Sequence, residues 1–486
     1  MTARTAAPTP PWIEPEYAHA PLPDARLQAR QVAIGARLAA QPAAPLPAIM
    51  VTDAELEACY RFAANPRVTP AAILAPHRAA TFARARAVGG PVVAIHDGTE
   101  FDLTAHPACA GLGRLRQGQR GFVGHVTLLV TEGDAWEPLG VPAVSTWVRP
   151  RRRRSRDPRT GAKRSGPAYA RLRATESAYW RTHIADVATG LGPDASVVHV
   201  FDAGGEHYDV LAACVAGDHA FVTRLARDRR ARAADDDADD DGTWSHLGTV
   251  LAAAPVRAVR AVTVAARGAA TAPRAARARP ARARRTARVG LAAARVTLRR
   301  PRSARTAAPP TLDVHAVAVT ELDPPAGVAP VCWVLLTCEP IATVADLARV
   351  VGLYVHRFAI EVYFDALKNG CLAEQRRLQT VGAQTNLLAL AVPVAWQLLR
   401  LRALARAPTP RPAAAVLSPT QLAVLRACTV LPLGDAPDAA AVLQAVAKLG
   451  GNIKKREPGW RVLMRGLERL MQCMIGWKAA KSGAEM

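Results

Sequence analysis

Pro91–Asp97 reads P-V-V-A-I-H-D, and Val197–Asp202 reads V-V-H-V-F-D. Each is a short, β-rich apolar run that closes on an aspartate, the pattern of a buried strand with a carboxylate at its end. Working outward, Gly124–Val130 (GHVTLLV) and Val141–Val148 (VPAVSTWV) read as two further strands, and Glu176 to about Leu191 reads as a helix. Trp333–Thr337 (WVLLT) restarts the strand pattern. Strands separated by helices, with acids at strand ends, predict an α/β sheet whose site lies at that edge.

The flanking segments differ in texture. Residues 1–20 are Pro-rich and are expected to be mobile. Residues 21–85 read as a small helical domain, with Asp53 as an N-cap and with Arg26, Arg30, Arg37, Arg61 and Arg67 along it. The core is expected over 86–226 and 331–406, and 151–164 (RRRRSRDPRTGAKR) reads as a basic loop. Between the two core segments, 227–330 reads as a β-rich, Arg-rich insertion facing DNA, with the acidic run Asp235–Asp241 as a solvated loop. A long helix is expected from about Val344 to Lys368, and a second helical region at 382–406. After the linker APTPRP (407–412), the chain up to residue 486 reads as a helical tail.

With 486 residues the chain has room for two to four domains, and 50% hydrophobic residues exclude wholesale disorder. No run of about 18 uninterrupted apolar residues occurs; Leu387–Leu399 comes nearest and holds Pro393 and Gln397. The N-terminus lacks signal-peptide order, so a soluble, intracellular protein is expected. Eight cysteines without a CxxC pair suggest a reducing compartment and no cysteine zinc cage. The 63 Lys and Arg against 40 Asp and Glu leave a net charge of +23, which points to an anionic polymer. Codon bias in a GC-rich genome is the bland alternative, because Arg and Ala are abundant throughout. Charge alone names no reaction.

Three acids stand out by context: Asp97, Asp202 and Glu361. Carboxylates at the ends of buried strands need a partner or a cation, since an unpaired buried charge costs several kcal/mol. Three hard oxygen ligands suit Mg²⁺ or Mn²⁺. For either aspartate alone, a turn-capping role is the simpler reading. The helix around Glu361 shifts that balance. Tyr354, Arg357, Glu361 and Lys368 are spaced 3, 4 and 7 apart and fall on one helical face, beside a face formed by Ile360, Phe364 and Leu367. A solvated face with mixed charge is the alternative.

The pattern Y-x-x-R-x-x-x-E-x-x-x-x-x-x-K at 354–368 resembles the signature of the insertion-sequence-four family of bacterial DDE transposases. The resemblance extends over nearly the whole chain, through YRFAANPRV (60–68), AIHDGTEFD (94–102), RGFVGHVTLLV (120–130), FDAGGEHYDVL (201–211), FVTRLARDR (221–229), WVLLTCEP (333–340) and LGG…EPGW (449–460). It implies a ribonuclease-H-like catalytic core of α/β class with a β-rich insertion. An N-terminal end-recognition domain and a C-terminal helical dimerisation domain (407–486) would flank that core.

By the same resemblance, Asp97, Asp202 and Glu361 would be the metal ligands, holding two Mg²⁺ (or Mn²⁺) ions. Arg224, Arg357 and Lys368 would hold DNA phosphates with Tyr354 in support, and Trp333 would stack on a flipped base. Trp333 also reads simply as a strand core residue. Arg26, Arg30, Tyr60 and Arg61 fall in the end-recognition segment. The chain departs from the pattern at Gly98, where threonine is common, and at Asp365, where a lysine occurs.

The expected partners are double-stranded DNA, both transposon-end inverted repeats and target, and a second copy of the chain in a synaptic homodimer, with no membrane. The expected location is the bacterial cytoplasm, at the nucleoid. Two rival readings are an idle descendant kept as a DNA-binding regulator and an RNA-binding protein. The intact acids oppose the first, and the lack of an aromatic RNA-stacking motif opposes the second.

Overall fold

The computed structural model describes residues 9–149, 167–234, 244–264, 283–302, 304, 307–452 and 458–484. The basic loop 151–164 and the acidic run 235–241 lie outside them. The chain forms two compact units, one of residues 1–196 and 358–486, the other of residues 197–357. This division differs from the expected one. The second strand-end aspartate and the β-rich insertion share a unit, and the helical tail belongs with the N-terminal segment.

The first unit opens with five helices, α1 (Ile13–Tyr17), α2 (Ala25–Ala40), α3 (Leu46–Ile49), α4 (Asp53–Ala64) and α5 (Pro70–Ala87). The expected mobile N-terminus is thus corrected at α1, where Ile13 and Tyr17 are fully buried. The short helix is anchored by polar bonds: the Tyr17 hydroxyl donates to the Leu390 carbonyl at 2.6 Å, and Gln31 Nε2 donates to the Tyr17 carbonyl at 3.0 Å. The cap of α4 is Thr52, whose Oγ1 accepts from Glu55 N at 3.2 Å. Asp53, expected as the cap, is instead the first helical residue, where its charge suits the helix N-terminus.

Strand β1 (Val92–Asp102) follows, then β2 (Gly113–Arg114), β3 (Arg120–Thr131) and β4 (Pro138–Trp147). β1 runs antiparallel to β3 from the Val92–Thr131 pair to the Asp102–Gly121 pair, and β3 also pairs with β2 and β4. Helix α6 (Pro167–Leu191) packs on β3 and β4 and starts earlier than the sequence suggested.

In the second unit, β5 (Val197–Phe201), helix α7 (Tyr208–Ala216) and β6 (Ala220–Arg224) form a parallel β-α-β unit. The remaining elements are β7 (Arg230–Ala233), β8 (Ser245–His246), α8 (Leu247–Ala253), β9 (Val256–Val264), β10 (Arg285–Arg299), β11 (Thr311–Glu321), β12 (Cys332–Thr337) and α9 (Val344–His356). β6 pairs with β12, and the ladder continues through β11 and β10, which bears β9 and β7. Among the described residues of 227–330, β7 to β11 are strands. In β10, Val289 and Leu291 are buried while Arg288 is exposed.

The chain then returns to the first unit with α10 (Phe358–Asp365), a π-helical turn (Ala366–Gly370), α11 (Val381–Ala405), α12 (Pro419–Cys428), α13 (Ala439–Leu449) and α14 (Trp460–Ala484). α11 is long and apolar enough to cross a membrane, yet 89% of its apolar window is buried inside the protein, so it is a core helix. It packs against α2, α4, α5, α13 and β4. Its polar groups find partners: Asn386 Nδ2 donates to the Ala63 and Val68 carbonyls at 2.9 and 3.0 Å, and Trp396 Nε1 to the Pro138 carbonyl at 2.9 Å.

One buried ion cluster ties α1 to α5. Glu16, 2% exposed, contacts His77 Nδ1 and accepts from Arg84 Nη1 at 2.5 Å. His77 Nε2 accepts from Val141 N at 3.0 Å, so Nδ1 carries the proton given to Glu16. Burial pushes the Glu16 carboxyl up, but the His77 and Arg84 bonds more than offset this and leave it below the usual value. A depressed carboxyl contributes stability above its unfolded value and loses it as pH falls through the lower folded value.

Three outcomes are expected. Glu16→Ala, which leaves the buried His77 Nδ1 without its acceptor and removes the ion pair with Arg84, should cost about 3–5 kcal/mol in denaturant unfolding. The difference between wild type and variant should shrink as pH falls below about 4.5. Gly35→Ala should cost about 1–3 kcal/mol, because its Cβ would lie 2.8 Å from the ring of the fully buried Tyr17.

Candidate active site

The first unit carries two of the three acids. Asp97 does not end its strand, as expected, but sits in the middle of β1 opposite Val126. The continuous buried run ends at His96, with Phe101 buried again beyond it, while the backbone ladder to β3 runs on to Asp102, so the apolar run marks the end of continuous burial and not the end of the strand. Asp97 is half-buried, and its Oδ1 accepts from Gly98 N at 2.7 Å. Glu361 is exposed on α10, a helix that packs on β1. Ile360, Phe364 and Leu367 are buried beside it, as the spacing required.

The expected continuous helix over 344–368 is not formed. Helical bonding stops at His356, Arg357 is a turn residue, and Lys368 lies on the π-helical turn. Neither Pro nor Gly marks the break. Instead His356 Nδ1 lies 2.7 Å from the Gly352 carbonyl, a side-chain bond that competes with the helical ladder at that position. Tyr354 and Arg357 thus belong to the second unit, and Glu361 and Lys368 to the first.

Lys368 is already engaged. Its Nζ lies 3.0 Å from Glu374 Oε1, donates to the Glu100 carbonyl, and sits 5.2 Å from the Phe101 ring centre. Glu374 also accepts from Asp102 N at 3.0 Å. Glu100 in turn binds Arg149 at 2.5 Å, and Arg149 binds Glu176 at 2.8 Å. No sequence pattern marks Glu100, Arg149 or Glu374 as partners of Lys368. Glu374 follows an irregular turn, so no helical period could connect it with Lys368.

The second unit gathers a separate group. Asp202 follows β5 directly, as expected, and is half-buried. Its Oδ1 accepts from Gly204 N at 2.6 Å and its carbonyl from Gly205 N at 3.0 Å, so the two glycines of FDAGG close a tight turn around the acid. Arg224 ends the neighbouring β6, paired with Leu335. Trp333 on β12 is half-buried, its ring 5.4 Å from that of Tyr354 in an edge-on arrangement. The Arg357 guanidinium lies 6.0 Å from the centre of the same tyrosine ring. Burial pushes the Tyr354 phenol above its ordinary value, Arg224 and Arg357 oppose this, and Asp202 reinforces it. Asp202, Arg224, Trp333, Tyr354 and Arg357 therefore form one cluster of acid, aromatic and guanidinium groups.

Of the expected DNA-binding residues on the N-terminal helices, Arg26 and Arg61 are exposed, while Arg30 and Tyr60 are half-buried. Arg61 pairs loosely with Glu57 at 3.7 Å, both side chains mostly in solvent, a pair worth little and easily given up to a phosphate. Residues 10–68 match the family model for transposase DNA-binding domains. The match includes α1 to α4 and all four of those residues. It supports a DNA-binding transposase, with DNA as its partner.

Tyr354 offers a check on the cluster. Tyr354→Ala should cost about 3–5 kcal/mol of stability in denaturant unfolding, since the side chain is 1% exposed. Tyr354→Phe, which keeps the ring against Trp333 and loses the hydroxyl bond near Arg357, should cost about 0.5–1.5 kcal/mol.

Proposed function

We propose that the protein is a cut-and-paste DNA transposase of the DDE type that cleaves transposon ends and joins them to target DNA. The observation that carries this reading is the transposase DNA-binding match at residues 10–68 in a chain that also holds Asp97, Asp202 and Glu361 in their motif contexts. The three acids offer only carboxylate oxygens, a donor set suited to Mg²⁺ or Mn²⁺. Asp97 and Asp202 are half-buried and Glu361 exposed, so the oxygens are within reach of solvent and substrate. Two metal ions held by these acids would lower the pKa of a water and stabilise the attacking and leaving oxygens of an in-line displacement.

The remaining groups of this chain act on the DNA. Arg26, Arg30, Tyr60 and Arg61 engage the end repeat. Arg224 and Arg357 bind phosphates beside the scissile bond, with Tyr354 bracing Arg357. Lys368 joins them by exchanging its contact with Glu374 for a phosphate oxygen. Trp333 stacks on a base taken out of the duplex. Strand scission first frees a 3′-hydroxyl at the transposon end. That hydroxyl attacks a phosphate of the opposite strand and displaces the 3′-hydroxyl of the flanking DNA to give a hairpin, water reopens the hairpin, and the freed 3′-hydroxyl attacks a target phosphate and displaces a target 3′-hydroxyl. Two copies of the chain pair the two ends.

The test uses the full chain and a plasmid in which its gene keeps its flanking inverted repeats. Wild-type protein with Mg²⁺ should excise the segment. Asp97→Ala, Asp202→Ala and Glu361→Ala should each reduce cleavage to background while a mobility-shift assay shows unchanged end binding. Cleavage retained by any of the three overturns the assignment of that acid. Arg26→Ala and Arg61→Ala should weaken end binding and each reduce the salt-dependence slope by about 1.

A further inference from the structure

A second group of possible metal ligands lies on the other face of β1. His96 on β1, His125 on β3 and His183 on α6 are buried to 1% exposure or less, and their candidate ligand atoms all lie within 4.8 Å of one another. The pairing register explains the convergence. His96 stands opposite Thr127, and His125 opposite Ser145 of β4, so these side chains share one face of the sheet, which α6 covers with His183. Asp97, one residue along β1, points to the opposite face.

The cluster is polar where a core is normally apolar. Thr127 Oγ1 lies 2.9 Å from both His96 Nδ1 and His183 Nδ1, and Ser145 Oγ lies 2.9 Å from His183 Nε2. His125 Nε2 is buried and has no hydrogen-bond partner among the described residues. A buried polar nitrogen left in that state costs about 1–3 kcal/mol, and a fully satisfied histidine network would not contain one. Its ring packs against Trp180 at 4.3 Å and His183 at 4.6 Å, which fixes its orientation.

We propose that His96, His125 and His183 form a closed site for a borderline divalent transition-metal ion of the Zn²⁺ class, with a hydroxyl of Thr127 or Ser145 as fourth ligand. Three atoms no more than 4.8 Å apart share a centre at most about 2.8 Å from each, and Zn–N bonds of about 2.0–2.1 Å need only sub-ångström adjustments from there. Imidazoles and hydroxyls without a carboxylate favour this ion class over Mg²⁺ or Ca²⁺. Burial holds His125 well below its ordinary pKa and His183 at about 3, so protons do not compete for their lone pairs at neutral pH. The hydroxyl that is not a ligand would orient a ring through its second nitrogen. The ion would pin β1, β3 and α6 together. This site is independent of the proposed DNA chemistry.

The test is the metal content of full-length protein carrying no polyhistidine tag, expressed with zinc and measured by plasma mass spectrometry. About one zinc per chain is expected, and cobalt-grown protein should show the visible absorption of a low-symmetry Co²⁺ site. His125→Gln and His183→Gln should lose the metal, and Ser145→Ala should weaken it about 10–100-fold in chelator competition. Should the histidine variants fail to fold, the wild-type content and Ser145→Ala decide. Wild-type protein free of zinc after loading overturns the proposal, as does zinc kept by both folded histidine variants or unchanged chelator competition in Ser145→Ala.

Discussion

The two-residue period of β1 governs what its unit can do. Successive side chains leave the strand on opposite faces, so His96 enters a sealed interior under α6 while the neighbouring Asp97 lies on the face away from it. A one-residue slip against β3 would carry the Asp97 carboxylate into the closed interior beneath α6 and bring the imidazole out of it. Eleven consecutive pairs with β3, from Val92 to Asp102, hold the register. The expected chemistry of the unit thus rests on backbone hydrogen bonding that extends well past the continuously buried run of the strand.

A second constraint keeps that strand in place. The first unit is built around α11, and segments distant in sequence are fastened to it by single polar bonds from buried donors. Tyr17 reaches the carbonyl of Leu390, Asn386 reaches those of Ala63 and Val68, and Trp396 reaches that of Pro138. Each bond is modest in net terms, but leaving any of these groups unpaired would cost more than the bond contributes. The DNA-binding segment is therefore continuous with the core of its unit. Glu16, inside the matched segment, meets His77 and Arg84 beyond it.

The strands were legible wherever apolar runs were bounded by turns: β3, β4, β5 and β12 lie where the sequence places them. Asp202 was legible as the end of its strand because Gly204 and Gly205 turn the chain at once. Asp97 does not end its strand, because Gly98 to Asp102, with no apolar residue but Phe101, still pairs through its backbone. Helix α1 was missed because two buried residues, Ile13 and Tyr17, sit among prolines, too few to show a period. The break at Arg357 had no proline or glycine to announce it. The histidine cluster was invisible because 96, 125 and 183 meet only through strand register and the packing of α6, and each lies in an otherwise ordinary run.

In the proposed mechanism Asp97, Asp202 and Glu361 act on DNA by holding metal. Replacing Asp97 with cysteine tests it most directly, because a thiolate binds Mn²⁺ much better than Mg²⁺. The account predicts that Asp97→Cys binds transposon-end DNA normally, fails to cleave it in Mg²⁺ and regains cleavage in Mn²⁺. Cleavage at the wild-type rate in Mg²⁺, or none in either metal with end binding intact, would contradict it.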